Sequence, residues 1–124
     1  MKKKIIIVLL IVIAVVGFNL SLATKKVDRL LAEDVDVVKF SEIEEGTYTG
    51  KYDAGLVKVE LEVEVINNEV KDINITKHTN GKGKPGEDVV STIIKKQSLQ
   101  VDTVAGATIS SKAIIKAVED ALTN

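Results

Sequence analysis

The chain has 124 residues, 45% of them hydrophobic and 28% charged, with a formal net charge of −1. That length accommodates one small domain plus whatever precedes it. Cysteine is absent, which excludes disulfides, thiolate-held iron–sulfur clusters, c-type haem attachment and a lipid-modified Cys. With one His and no Trp besides, redox chemistry in this chain has to come from an organic cofactor.

Residues 1 to 4 read Met-Lys-Lys-Lys, and Ile5 to Phe18 carry no polar or charged side chain. A basic start before an apolar run marks a membrane-inserting segment. The positive-inside bias places the Lys cluster in the cytoplasm and the remainder across the membrane. Extended through Asn19 and Ser21 to Ala23, the run approaches the roughly 20 residues that span a bilayer. Residues 1–23 are therefore read as a single-pass membrane anchor. The alternative is a signal peptide cleaved near Ala23, because Ser21 and Ala23 are small at the positions a signal peptidase reads. The exported part holds every acidic residue and all but three of the cations, a formal charge of −4. Nucleic acid is not an expected partner for such a surface.

Residues 24–44 are read as a stalk, with Val27, Leu30 and Leu31 on one face of a short helix and "DVDVVKFSEI" extended. "EEGTYTGKY" opens a strand with Tyr48, Gly50 and Tyr52 on one face, where Gly50 implies a bulge or a close backbone approach. Next, Val57, Val59, Leu61, Val63 and Val65 alternate with Lys58, Glu60, Glu62 and Glu64. A period of two with one charged face predicts a half-buried antiparallel strand whose Glu side is its wet side. Asn67-Asn68 tolerates positive φ and predicts a tight hairpin turn, with Ile73 and Ile75 on the return strand.

"KHTNGKGKPGED" reads as a loop, in which Lys82 and Lys84 are exposed decoration and His78 a solvated residue. It lacks the spacing of a phosphate-binding P-loop, and a lone His without Cys does not suggest a metal site. Val89, Val90, Ile93 and Ile94 then fall at helical spacing, with Lys95 and Lys96 near the helix end. A polar link, "QSLQVDTVAG", leads to a last helix with an apolar stripe of Ile114, Ala117, Val118, Ala121 and Leu122. The predicted architecture is α+β: an antiparallel sheet of three or more strands with two helices on its apolar face.

The stretch "VDTVAGATISSKA", residues 101 to 113, is the candidate site. Gly106 permits a tight turn and close approach, and Thr108, Ser110 or Ser111 can each cap the helix. The same helix N-terminus suits an anion such as phosphate, held by Gly106, Ala107 and the Ser110-Ser111 pair. Taken alone, these residues read as a helix cap.

Taken together, "GTYTG", the Val/Glu hairpin, the His before a Gly-rich loop and "IIKKQSLQVDTVAGATISSKAIIKAVEDAL" resemble a known family. It is the FMN-binding domain of the flavin-carrying subunits of sodium-translocating NADH:quinone reductases, Rnf-type complexes and small exported flavoproteins. The resemblance runs from about Glu45 to Leu122, within a domain read as residues 45–124. It implies FMN joined through its phosphate to the Thr of a motif resembling Asp-x-x-(Ser/Thr)-Gly-Ala-Thr. A separate Mg-dependent flavin transferase installs it from FAD. Carried over by position, Asp102 is the leading acid, Gly106 and Ala107 the turn and Thr108 the acceptor. Ala105 departs from the pattern, since it stands where the family usually has Ser or Thr. Covalent and tight non-covalent FMN both remain open.

The resemblance places the flavin over the sheet and the 78–86 loop, with His78, Tyr48 and Tyr52 as the planar groups available for contact. Ser110 and Ser111 are left to cap the helix. The expected function is an electron-transfer relay: an extracytoplasmic, membrane-tethered flavoprotein fed by a membrane oxidoreductase or quinone. It is read as an electron carrier rather than a stand-alone enzyme. Two alternatives stand beside it, a flavin-free adhesion or sensor module on the same fold and an FMN-dependent extracellular reductase.

Overall fold

A computed structural model describes residues 2–79 and 83–124. In chain order it comprises helix α1 (Lys2–Ala32), a short 3₁₀ turn (Phe40–Glu42) and strands β1 (Gly46–Asp53), β2 (Lys58–Ile66) and β3 (Glu69–Thr79). A second 3₁₀ turn (Lys84–Asp88) follows, then helices α2 (Val89–Lys96) and α3 (Thr108–Thr123). The strands form one antiparallel sheet in the order β1-β2-β3, with the helices against one face, so the fold is α+β as read from the sequence.

β2 anchors the sheet. Its Val59, Leu61, Val63 and Val65 are buried, while Glu60, Glu62 and Glu64 face solvent. Asn67 and Asn68 adopt φ of 52° and 59°, the left-handed pair that closes a tight hairpin into β3. The register of β3 slips twice against β2, between Glu60 and Leu61 and between Glu64 and Val65. Each slip leaves one extra residue on β3, first Lys71 and then Thr76, so its inward positions run Val70, Ile73, Ile75 and His78 rather than every second residue.

α3 lies across β1 and β2, burying Ile114, Ala117, Val118 and Ala121. Gly50 of β1 makes the close approach possible. A Cβ there would lie 2.1 Å from the Ala117 carbonyl oxygen and 2.7 Å from the Ala121 Cβ. The glycine marks a close approach and not a bulge, since the β1–β2 register is continuous.

α2 ends at Gln97, whose φ of 49° is left-handed. Its side-chain amide accepts the Val70 N–H at 2.8 Å and donates to the carbonyls of Val70 at 2.8 Å and Ile94 at 2.7 Å. This one side chain joins the helix end to β3.

α1 continues from the apolar run to Ala32 without a break, rather than ending before a separate short helix. Its apolar side chains from Ile5 to Leu22 are exposed, whereas Leu30 is fully buried against the domain. Asn19 Nδ2 donates to the Val15 carbonyl and Thr24 Oγ1 to that of Leu20, so both polar side chains are satisfied within the helix. Among the described residues α1 alone is long and apolar enough to cross a membrane, a test that a signal sequence also passes. The end of α1 and the segment after it pack on the domain: Lys112 Nζ donates to the Leu31 carbonyl at 3.1 Å, the Asp36 N–H donates to Glu119 Oε2 at 3.0 Å and Phe40 is buried.

Candidate functional site

α3 begins at Thr108 itself, with Ala107 as the N-cap residue and no side chain capping that end. The expectation that Ser110 and Ser111 cap this helix is corrected: they fall in its first turn and face inward, both buried. Ser111 Oγ accepts the Val104 N–H at 2.9 Å and donates to the Ala107 carbonyl at 2.7 Å. It fastens the 104–107 turn to the helix rather than serving the helix end. The Ala107 N–H closes the same turn on the Val104 carbonyl, and Gly106 takes φ of +79°.

The consequence is an open helix N-terminus. The first intrahelical bond is donated by the Ser111 N–H, so no cap occupies the N–H groups ahead of it. Thr108 is exposed beside them. A Cβ added at Gly106 would meet nothing within 4 Å, so one side of the turn is open space. A pocket of about 410 Å³ lies here, lined by Val57, Gly83, Gly106, Ala107, Thr108, Ile109 and Ser110.

Beneath the pocket, His78 Nε2 lies 3.1 Å from Ser110 Oγ and Nδ1 lies 3.4 Å from Glu87 Oε2. The His78 side chain is 4% exposed, which corrects its reading as a solvated loop residue. The extra residue at Thr76 turns His78 to the inner face of β3. The described ends of the segment read as an open loop are also more ordered than expected. β3 runs on through Thr79, and Lys84–Asp88 form a 3₁₀ turn with Pro85 at its start, where a fixed φ is favourable. Lys84 is exposed, as read, and its Nζ lies 3.8 Å from the same Glu87 oxygen; Lys82 falls outside the described residues.

Gly86 lets this turn sit against α3. A Cβ there would lie 2.8 Å from the Ser110 Cβ and 2.9 Å from the Ser111 backbone nitrogen. Glu87, Gly86, Gly83, Val57 and Ile109 were not singled out from the sequence. Gly83 and Gly86 left a trace there, as two of the three glycines in the loop's twelve residues, and Val57 appeared only in the strand pattern.

Of the residues carried over from the sequence, Gly106, Ala107, Thr108 and Ser110 line one pocket and His78 touches it through Ser110. Asp102 is exposed and lines a separate depression with Glu33 and Lys112. Tyr48 and Tyr52 belong to the core side of β1. The Tyr48 hydroxyl donates to the Glu44 carbonyl at 2.7 Å and the Tyr52 hydroxyl to Glu33 Oε2 at 3.2 Å. Neither is among the residues lining the Thr108 pocket.

The family model described as the FMN-binding domain matches residues 55–123, from the β1–β2 turn to the end of α3. This chain belongs to the FMN-binding domain family. Comparison with curated proteins gives no match. As an FMN-binding domain, the chain is a flavin-binding protein whose own residues fit the cofactor's phosphate end. An uncapped helix N-terminus attracts phosphate through its N–H groups and dipole, and the turn at Gly106 leaves room beside it. Val57 and Ile109 add apolar side chains to the lining of the same pocket.

Proposed function

We propose that this FMN-binding domain is an extracytoplasmic, membrane-tethered electron relay carrying its flavin on Thr108. The observation that carries the proposal is the position of Thr108: exposed, first residue of an uncapped helix and lining a pocket within the family match. Bound flavin supplies the one- and two-electron chemistry that the side chains lack. The chain's residues hold and orient it. N–H groups of the first turn of α3 neutralise the phosphate, Ser111 keeps the Gly106 turn in place, and His78 with Glu87 and Ser110 fixes the floor.

Attachment requires a partner, a flavin transferase using FAD. Thr108 Oγ1 forms a P–O bond to the flavin-side phosphorus, the pyrophosphate P–O bond breaks with loss of AMP, and the hydroxyl proton passes to the transferase's base. Ala105 removes a hydroxyl from the turn but leaves the acceptor in place. Electrons enter from a membrane oxidoreductase or a quinone and leave to an external acceptor. α1 supports the tethered form, since its exposed apolar length from Ile5 to Leu22 matches a hydrocarbon layer of roughly 30 Å. Residues 45–124 then stand outside the membrane as the flavin domain.

The test is to purify the full chain from membranes of cells that also express an FAD-dependent flavin transferase. The expected product is yellow and, when reduced, passes its electrons to an added quinone or ferricyanide. A protein that remains colourless overturns the reading.

A further inference from the structure

A second cavity lies away from Thr108, in the angle between α1 and the β1–β2 turn. It measures about 630 Å³ and is lined by Leu22, Lys25, Lys26 and Arg29 from α1 and by Asp53 and Lys58 at the facing ends of β1 and β2, together with two uncharged neighbours. Four cations therefore face a cavity in which Asp53 is the one acid among the described residues, and Lys26 Nζ lies 3.4 Å from its Oδ2. Asp53 also accepts the Gly55 N–H at 2.8 Å, so its charge is shared between the turn and Lys26. A positive excess is left, with no second acid in the lining to offset it. The volume falls within the ~300–1,000 Å³ typical of ligand sites.

The height of the cavity on α1 decides what fills it. The exposed apolar stretch ends at Leu22, which forms part of the lining, and the first charges after it are Lys25 and Lys26. With Ile5 to Leu22 in a hydrocarbon layer, at 1.5 Å of rise per residue, the cavity opens at headgroup level. Leu56, next to the lining residue Gly55, is 60% exposed on an otherwise tight turn. An apolar tip beside a basic hollow is the pattern of a surface that rests on an anionic bilayer.

We propose that this cavity binds the phosphate headgroup of an anionic phospholipid in the leaflet from which α1 emerges, with Leu56 touching the acyl boundary. Lys25, Lys26, Arg29 and Lys58 supply the charge. The domain is thereby fixed against the membrane surface instead of swinging on its helix. The inference rests on the tethered reading of α1, and two separate readouts distinguish their failures.

The experiment is native mass spectrometry of the full chain in detergent micelles with added phosphatidylglycerol or phosphatidylcholine. The expected result is retention of phosphatidylglycerol alone, reduced about tenfold or more in Lys25→Gln/Lys26→Gln/Arg29→Gln and unchanged in Lys95→Gln/Lys96→Gln. Lys58→Gln, on the opposite wall, is expected to weaken retention without altering the helix, which covers the case of a triple variant that fails to fold. Equal retention of both lipids, or undiminished retention in Lys58→Gln and the triple variant, overturns the proposal. Displacement by soluble glycerol phosphate at concentrations comparable to the lipid also overturns it, by identifying a site for free anions. Release of the chain from native membranes by alkaline carbonate defeats the tethered reading instead, and the micelle measurement does not depend on that outcome.

Discussion

His78 Nε2 lies 3.1 Å from Ser110 Oγ, two residues along α3 from Thr108, and its other ring nitrogen lies 3.4 Å from Glu87 Oε2. The contact joins β3, the Lys84–Asp88 turn and the first turn of α3 at one buried point. Ser110→Ala removes a buried polar contact, at a cost of about 1–2 kcal/mol in stability. It is also expected to lower FMN occupancy several-fold while the helices and sheet persist. Thermal unfolding and flavin absorbance on the same sample check this, and unchanged occupancy would separate the buried contact from the flavin site.

Gly86 provides a second route to the same floor. Gly86→Ala drives a Cβ to within 3 Å of Ser110 and of the Ser111 backbone nitrogen. Overpacking of that kind typically costs about 1–3 kcal/mol, and here relief requires the turn to move away from the pocket. Weaker FMN retention by dialysis or titration is expected. Gly50→Ala, which collides with the Ala117 carbonyl, is expected to cost at least as much stability.

Gln97 links α2 to β3 by three hydrogen bonds of 2.7–2.8 Å. Gln97→Ala strips the side-chain partner from both the N–H and the carbonyl of buried Val70, an expected loss of about 1–3 kcal/mol. Hydrogen exchange localises the effect: the amide of Val70 is expected to lose protection before those of β2. Uniform change across the sheet would contradict the assignment.

The Tyr52, Glu33 and Lys116 cluster contributes stability that is expected to fade at alkaline pH. Burial raises the Tyr52 phenol above its ordinary value of 10.0, and the nearby Glu33 carboxylate adds to the rise. For Lys116, burial acts to lower the pKa, but Glu119 at 2.9 Å and Glu33 at 3.8 Å outweigh it and hold the ammonium above 10.5. Both groups bind their protons more tightly folded than unfolded. Their stabilisation is complete below the unfolded values and is lost as pH rises through the folded ones. Denaturant unfolding should show stability declining above about pH 10, less steeply in Tyr52→Phe/Lys116→Met. Parallel declines in the two proteins would contradict the cluster's role.

The sheet was legible where the pattern was local. The Val/Glu alternation of β2 needs no information beyond its own nine residues, and Asn67-Asn68 announces its turn by tolerance of positive φ. Gly50 signalled a bulge or a close approach, and only the fold decides for the approach and identifies Ala117 as the approaching group. His78 was misread because its burial depends on an extra residue at Thr76, and a register slip leaves no periodic trace. Ser110 and Ser111 were misread for a related reason. Helix start signals tolerate a shift of two residues, and that shift turns a capping hydroxyl into a buried one. The pairing of Glu87 with His78 joins residues nine apart through a turn that no motif specifies.

The central claim is that the flavin of this FMN-binding domain is carried on Thr108. The most direct measurement is intact mass, with peptide mapping, of the full chain and of Thr108→Val, each co-expressed with a flavin transferase. The expected result is wild-type protein heavier by one FMN less water, with the addition on the peptide containing Thr108, and a variant of unmodified mass. A variant that still carries covalent flavin, or a wild-type chain modified at another residue, would contradict it.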